Sequence, residues 1–179
     1  KLPKKKSNKE IKSFFKKKGL EFLVLASESK KPKNWKTKNE KLVKITYVPE
    51  LKDLYRLYNF IILNKRITIL EFGSGWSSLI SFLALYELKK NYSRKIKELK
   101  RKNPFELFIL ENEKKFLNIS KNRIIKFCKK NKLKNIPKIH CCFSEVEMTL
   151  YENKIATQYK NFPKCNPDFI YLDGPGQFN

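Results

Sequence analysis

The hydrophobic rhythm of the chain changes near Ile67. Before it, from Pro49 to Lys65, Leu51, Leu54, Tyr55, Tyr58, Ile61 and Ile62 recur at three- and four-residue steps, which predicts an amphipathic helix with Pro49 in an early helical position. After it, short apolar runs alternate with longer segments of helical spacing. The runs Ile67–Phe72, Phe105–Leu110, Ile139–Phe143 and Asp168–Leu172 are each nearly continuous in apolar residues, as strands covered on both faces should be. Between the first two, Leu79, Phe82, Leu83 and Tyr86 open a helix in a segment running from Ser77 to about Lys102, whose Lys-rich end reads as solvated. Between the next two, Phe116, Ile119, Ile124 and Phe127 space a helix within Glu113–Asn131. The last connection, Glu145 to Lys164, is weaker and is expected to hold a helix over Val146–Tyr159. Strands alternating with helices imply an α/β fold built from parallel βαβ units.

Residues 1–48 form a Lys-rich segment around one apolar island, Leu20–Leu25, which fits a short strand or part of a helix equally well. Residues 49–179 form the domain. No internal repeat interrupts it, and 179 residues suffice for one domain with a real core. No stretch has the length of apolar sequence that a membrane span needs, and the N-terminus carries no signal-like apolar run, so a soluble, cytoplasmic protein is expected.

The formal charge of +24 changes the list of partners. It would ordinarily point to a polyanion. Only five of the 41 Lys and Arg residues are Arg, however, and Arg is the side chain suited to forked recognition of phosphates and bases. Together with abundant Asn, Ile and Phe this reads as codon bias expressed on a solvated surface; Lys4–Lys6 and Lys16–Lys18 stay open as weak polyanion contacts. Cys128, Cys141, Cys142 and Cys165 form no CxxC pair, and the single His140 completes no metal set, so reduced structural cysteines and no metal site are expected.

The chemistry concentrates in Glu71-Phe72-Gly73-Ser74-Gly75-Trp76-Ser77-Ser78, which runs from a strand through a glycine turn into a helix. Glycines let the chain turn sharply and let a ligand approach, and the first N–H groups of a helix are donors without helical partners. A tight structural turn would use the same residues. Further on, Glu111 stands at the tip of the second strand, where an acidic side chain can accept hydrogen bonds from both ribose hydroxyls. The simpler alternative is a solvated Glu opening a helix, a role Glu113 fills better.

These residues resemble class I S-adenosylmethionine-dependent methyltransferases, whose first motif is an acidic residue, any residue, Gly, any residue, Gly at the end of the first strand. The resemblance implies a Rossmann-like three-layer sandwich with a mostly parallel sheet, of which strands 3-2-1-4 are present. It also implies S-adenosyl-L-methionine as cofactor, with Glu71, Gly73, Ser74 and Gly75 against its methionine part, Ser77 as a further contact and Glu111 on the ribose. Trp76 fits a ligand contact or core packing equally. Ser144 and Glu145, at the end of the third strand, occupy the place from which the family touches adenine, by position only; they could equally cap the following helix. His140, Cys141 and Cys142 alternate across their strand and read as structural.

The fourth strand ends in Asp173-Gly174-Pro175-Gly176. Asp173 should face the same crevice as Gly73 and Glu111, near the transferred methyl, where a carboxylate can orient or deprotonate an alcohol. A plain turn initiated by Asp173 is the competing account. The segment does not look like the Asn/Asp-Pro-Pro-aromatic motif of amino-group methyltransferases, which favours an oxygen acceptor on a small molecule or sugar. Three alternatives stay open: an NAD(P)-dependent oxidoreductase, disfavoured by Ser78 where a third glycine would stand; a basic nucleic-acid-binding module; and a methyltransferase acting on RNA. The spacing of 38 positions between Gly73 and Glu111 departs from the roughly 20 of simple dinucleotide folds. The family has seven strands and this sequence reaches the fourth without an initiator Met, so a fragment with an open apolar sheet edge is expected.

Overall fold

The computed structural model describes residues 1–29, 48–96 and 103–174. Among the described residues five helices, α1 (Asn8–Lys17), α2 (Glu21–Glu28), α3 (Leu51–Leu63), α4 (Trp76–Ile96) and α5 (Lys114–Lys130), accompany six strands. The strands are β1 (Thr68–Phe72), β2 (Glu106–Glu111), β3 (Lys138–Phe143), β4 (Val146–Tyr151), β5 (Lys154–Tyr159) and β6 (Phe169–Leu172). The main sheet has the order β3-β2-β1-β6 with every pairing parallel, a Rossmann-like α/β sandwich; β6 is the fourth strand expected from the sequence. Among the described residues no helix is long and apolar enough to cross a membrane.

Strand alternation divides the interior into two clusters. Ile69, Leu107, Ile109, Ile139, Cys141, Phe169 and Tyr171 point toward the helices, while Leu70, Phe72, Phe108, Leu110 and Cys142 point the other way. Cys141 and Cys142 therefore lie on opposite faces, and His140 stacks on Phe108 with ring centroids 4.2 Å apart while its Nε2 meets Glu106 Oε2 at 2.7 Å, a packing role. From Ser77 to Leu85 the residues of α4 are buried in unbroken succession, because α4 is held between the sheet, α3 and α5. Its apolar residues consequently show no single stripe.

Helix α3 forms as its spacing requires, burying Leu51, Leu54, Tyr55, Leu57, Tyr58 and Ile61, but Glu50 is its N-cap, so Pro49 lies just outside the helix rather than in its first turn. The island at Leu20–Leu25 is helical, within α2. Helix α1 starts with a reciprocal Ser7–Glu10 capping box and, with α2, contributes Ile11, Phe15, Leu20, Leu23 and Val24 to the same core as the sheet. The positive φ of Gly19, +75°, turns α1 into α2 against Asn131, the C-cap of α5.

The expected helix over Val146–Tyr159 is absent. In its place β4 and β5 form an antiparallel hairpin, turning through Glu152 and Asn153 with φ of 48° and 61°, the two positive values a type I′ turn needs. Strict alternation of Val146, Met148 and Leu150 with Glu147, Thr149 and Tyr151 is a period-2 pattern, and it outweighs the loose helical spacing. Val146 and Tyr159, at the hairpin base, pack on the second face of the sheet, whereas Met148, Leu150 and Ile155 further out are exposed. At the sheet margin, β6 leaves Ile170 and Leu172 exposed. The Lys-rich stretch 97–102, and Pro175 and Gly176 after Asp173, lie outside the described residues.

Candidate functional site at the carboxyl ends of the strands

Parallel strands deliver their C-terminal residues to one rim, and there β1, β2 and β6 bring Glu71, Glu111 and Asp173 around the glycine loop. The loop is anchored from both sides. Gly73 N–H donates to the Leu110 carbonyl at 2.8 Å, and Asp173 N–H donates to the Phe72 carbonyl at 2.9 Å. Gly73 has φ of +88°, and a Cβ there would lie 3.0 Å from the Gly174 carbonyl oxygen, so only glycine fits between the two loops. Gly75 differs. Its φ is ordinary, and an added Cβ would meet nothing nearer than Ser77 Oγ at 3.8 Å. Packing does not demand glycine at this position, which leaves its missing side chain as room beside the loop.

Two of the loop's backbone donors, those of the glycines, are already engaged. Gly73 binds Leu110 as described, and Gly75 N–H donates to Ser78 Oγ at 3.2 Å. The Gly75 carbonyl accepts from Ser120 Oγ of α5 at 3.4 Å. Ser78 replaces a third glycine in the sequence and here acts as a local cap for the turn.

Glu71 is wholly buried. One carboxyl oxygen accepts the Ser77 hydroxyl, and the other, Oε2, is buried with no hydrogen-bond partner among the described residues. Burial pushes its pKa up to about 8, opposed by the neighbouring serine hydroxyls and reinforced by the charges of Asp173 and Glu111. Ser77 is itself buried and faces Glu71, so it supports the acid rather than opening onto the crevice.

Glu111 is the hub on the other side. Its Oε2 accepts the Ser74 hydroxyl at 2.7 Å, and Oε1 accepts the backbone N–H groups of Asn112 at 2.8 Å and Glu113 at 3.0 Å. The carboxylate thus stands at the start of α5, where backbone donors and the helix dipole favour its charge. Four acceptor positions minus these three hydrogen bonds leave room for one more partner, and a second by displacement of Ser74.

Asp173 is exposed on the rim, yet burial of part of its carboxyl raises its pKa above the ordinary value. Ser144 is buried beside Glu111: its N–H donates to the Glu111 carbonyl at 3.1 Å, while its hydroxyl accepts from Asn161 N–H at 2.9 Å and donates to the Glu145 carbonyl at 3.0 Å. It closes the base of the hairpin and caps no helix. Glu145 is exposed, and its carboxylate pairs with Lys160 at 3.0 Å.

Two groups of this region carried no signal in the sequence. Tyr159, at the end of β5, is buried with its ring 5.6 Å from that of Phe72 and its hydroxyl without a well-formed hydrogen bond among the described residues; burial and the charge of Glu111, opposed by the Gly73 backbone, push it up to about 12. The hairpin brings it here, and a helix over the same residues would not have. Arg123 of α5 lays its guanidinium 3.7 Å from the centroid of the Trp76 ring, and burial lowers its pKa to about 10. Trp76 is half-buried between that cation and Phe22, as a packing element would be. Among the described residues no group of His, Cys, Asp and Glu side chains is arranged to hold a metal ion.

No family model matches this chain, and neither the curated proteins nor the solved structures contain a match to it.

Proposed function

We propose that the rim formed by β6, β1 and β2 binds S-adenosyl-L-methionine and serves transfer of its methyl group to a hydroxyl oxygen of a small molecule or sugar. The observation that carries this reading is the convergence of three carboxyl groups, Glu71, Glu111 and Asp173, on a loop whose two glycine N–H groups are hydrogen-bonded within the protein. Such a rim attracts a cation and repels a pyrophosphate, which needs free loop donors and no facing carboxylates. The rival nicotinamide dinucleotide is disfavoured on both counts.

The residues present suit the cofactor. The orphaned Glu71 Oε2 is an acceptor awaiting a donor, Gly75 leaves space beside Ser74, and Glu111 has acceptor capacity for ribose hydroxyls once Ser74 rotates away. Ser144, tied to the Glu111 carbonyl, marks the end of β3 on the adenine side.

When bound, the sulfonium supplies an electrophilic methyl carbon whose bond to sulfur breaks, leaving the electron pair on sulfur, as the bond to the acceptor oxygen forms. The protein's share is alignment and one proton. Asp173 accepts the acceptor's hydroxyl proton, and the raised pKa of its carboxyl strengthens it as a base. Cationic charge brought against Glu71 favours its ionised form, so cofactor binding near neutral pH releases a proton.

Calorimetric titration of S-adenosylmethionine and, separately, NAD into the folded protein tests the reading. Heat with the first and none with the second is expected, with the apparent enthalpy changing between buffers of different ionisation heat because of the proton released. A folded protein that takes up NAD, or neither compound, overturns it.

A further inference from the structure

Among the described residues, acids gather at the carboxyl ends of the strands and a cluster of lysines at the amino ends. At the carboxyl rim stand Glu71, Glu111, Glu113, Glu145 and Asp173, against the nearby cations Lys114, Lys115, Arg123 and Lys160, of which Arg123 lies on Trp76 and Lys160 is paired with Glu145. The opposite, amino end of the sheet is built from the last turn of α1, the last turn of α5, the segment after α5 and the start of β3. Those elements carry exposed Lys16 and Lys17, Lys129 and Lys130, Lys132 and Lys134, and Lys138.

Geometry joins these lysines into one surface. Gly19, just beyond α1, sits so close to Asn131 that an added Cβ would fall 2.8 Å from its Oδ1. Lys130 reaches Glu21 at 3.8 Å. A cavity of about 430 Å³ opens between Lys16, Lys17 and Lys18 on one side and Asn131 and Leu133 on the other. Among the described residues the acids at this end are already engaged: Glu87 by Lys18 and the Tyr58 hydroxyl, Glu106 by His140, Asp168 by the backbone N–H groups of Ile67 and Thr68, and Glu21 by Lys130. The exposed lysines thus face solvent with little local neutralisation. Two of the pairs, Lys16-Lys17 and Lys129-Lys130, also occupy helix C-termini, but dipole complementation needs only one or two cations per helix.

We propose that this amino-end surface docks the phosphate backbone of a nucleic-acid duplex, without reading its sequence. Lysine offers a point charge to phosphate rather than a fork to a base edge. The exposed aromatics Phe143, Tyr151 and Phe162 all belong to the carboxyl rim and hairpin, so among the described residues this end lacks the stacking platforms that single strands use. Among the described residues its large exposed apolar side chains are the scattered Leu2, Leu63 and Ile136, which form no continuous face to anchor a lipid surface. The duplex lies at the end of the sheet opposite the glycine loop, so its binding is independent of whatever that loop holds.

The test is fluorescence anisotropy with a labelled duplex of about 20 base pairs across roughly 50 to 200 mM salt. The wild-type protein is compared with a Lys16→Gln, Lys17→Gln, Lys129→Gln, Lys132→Gln variant and with a Lys4→Gln, Lys5→Gln, Lys6→Gln control, each checked for native circular dichroism. Affinity falls steeply with salt in the wild type and the control. In the fourfold variant the slope is shallower by about 0.9 per lost phosphate contact, up to about 3.6. Adding S-adenosylmethionine leaves the duplex affinity unchanged. An unaltered slope in the fourfold variant, a loss as large in the control, or binding to phosphatidylserine vesicles without binding to the duplex each overturns the proposal.

Discussion

Gly73 and Gly174 meet backbone to backbone, with the Gly174 carbonyl oxygen 3.0 Å from where a Cβ on Gly73 would stand. The β1 and β6 loops are therefore fitted to each other at a point where Gly73 also adopts φ of +88°. Gly75, two residues on, is under neither constraint.

The two glycines should separate on substitution. Gly73→Ala forces a side chain into a left-handed conformation against backbone and is expected to cost about 1–3 kcal/mol, with loss of ligand binding as the loops part. Gly75→Ala is expected to keep the wild-type melting temperature while weakening S-adenosylmethionine binding at least tenfold, because its methyl takes up the room beside Ser74. Thermal melts and calorimetry on both variants check this; a Gly75→Ala protein that binds normally would remove the loop from the contact surface.

Glu71 sets a pH dependence of known sign. Its folded pKa of about 8 lies above the ordinary 4.5, so the protonated form is the one that folding favours. Its contribution is fully present below about pH 4.5 and is lost as pH rises toward and through about 8, by up to about 1.4 kcal/mol per pH unit. Glu71→Gln, which cannot ionise, is expected to flatten that part of the stability profile and to abolish proton release on cofactor binding. Urea unfolding at several pH values measures the first effect, and a variant profile parallel to that of the wild type would place the titration elsewhere.

Asp173 acts, on the proposed mechanism, only after the cofactor is bound. Asp173→Asn keeps the N–H that donates to the Phe72 carbonyl and should leave cofactor affinity within a few-fold of the wild type. Methyl transfer to a hydroxyl acceptor is expected to fall by about 10²–10⁴, the usual contribution of a general base. Equal loss of binding and turnover would make Asp173 a part of the loop's architecture and not the base.

The sequence by itself determined the α/β class, the four strands of the main sheet and the helices α3, α4 and α5, because each carries its periodicity within a short window. It also placed Glu71, Gly73, Glu111 and Asp173 at strand ends, and parallel pairing is enough to bring such ends to one rim. Tertiary structure decided what those residues do there. Burial left Glu71 Oε2 without a partner among the described residues, and folding gave the N–H groups of Gly73 and Gly75 to Leu110 and Ser78. Packing also turned Ser77 inward and paired Glu145 with Lys160 outside the crevice. The hairpin that delivers Tyr159 was hidden because alternation over six residues competes with a helical spacing of similar strength, and only burial of Val146 and Tyr159 against the sheet distinguishes them. The grouping of lysines at the amino end was equally beyond the sequence, since Lys16–Lys18 and the end of α5 come together only when the α1–α2 turn docks against Asn131. Local patterns fix elements; partners of individual polar atoms, and fields summed over a surface, depend on contacts between residues far apart in the chain.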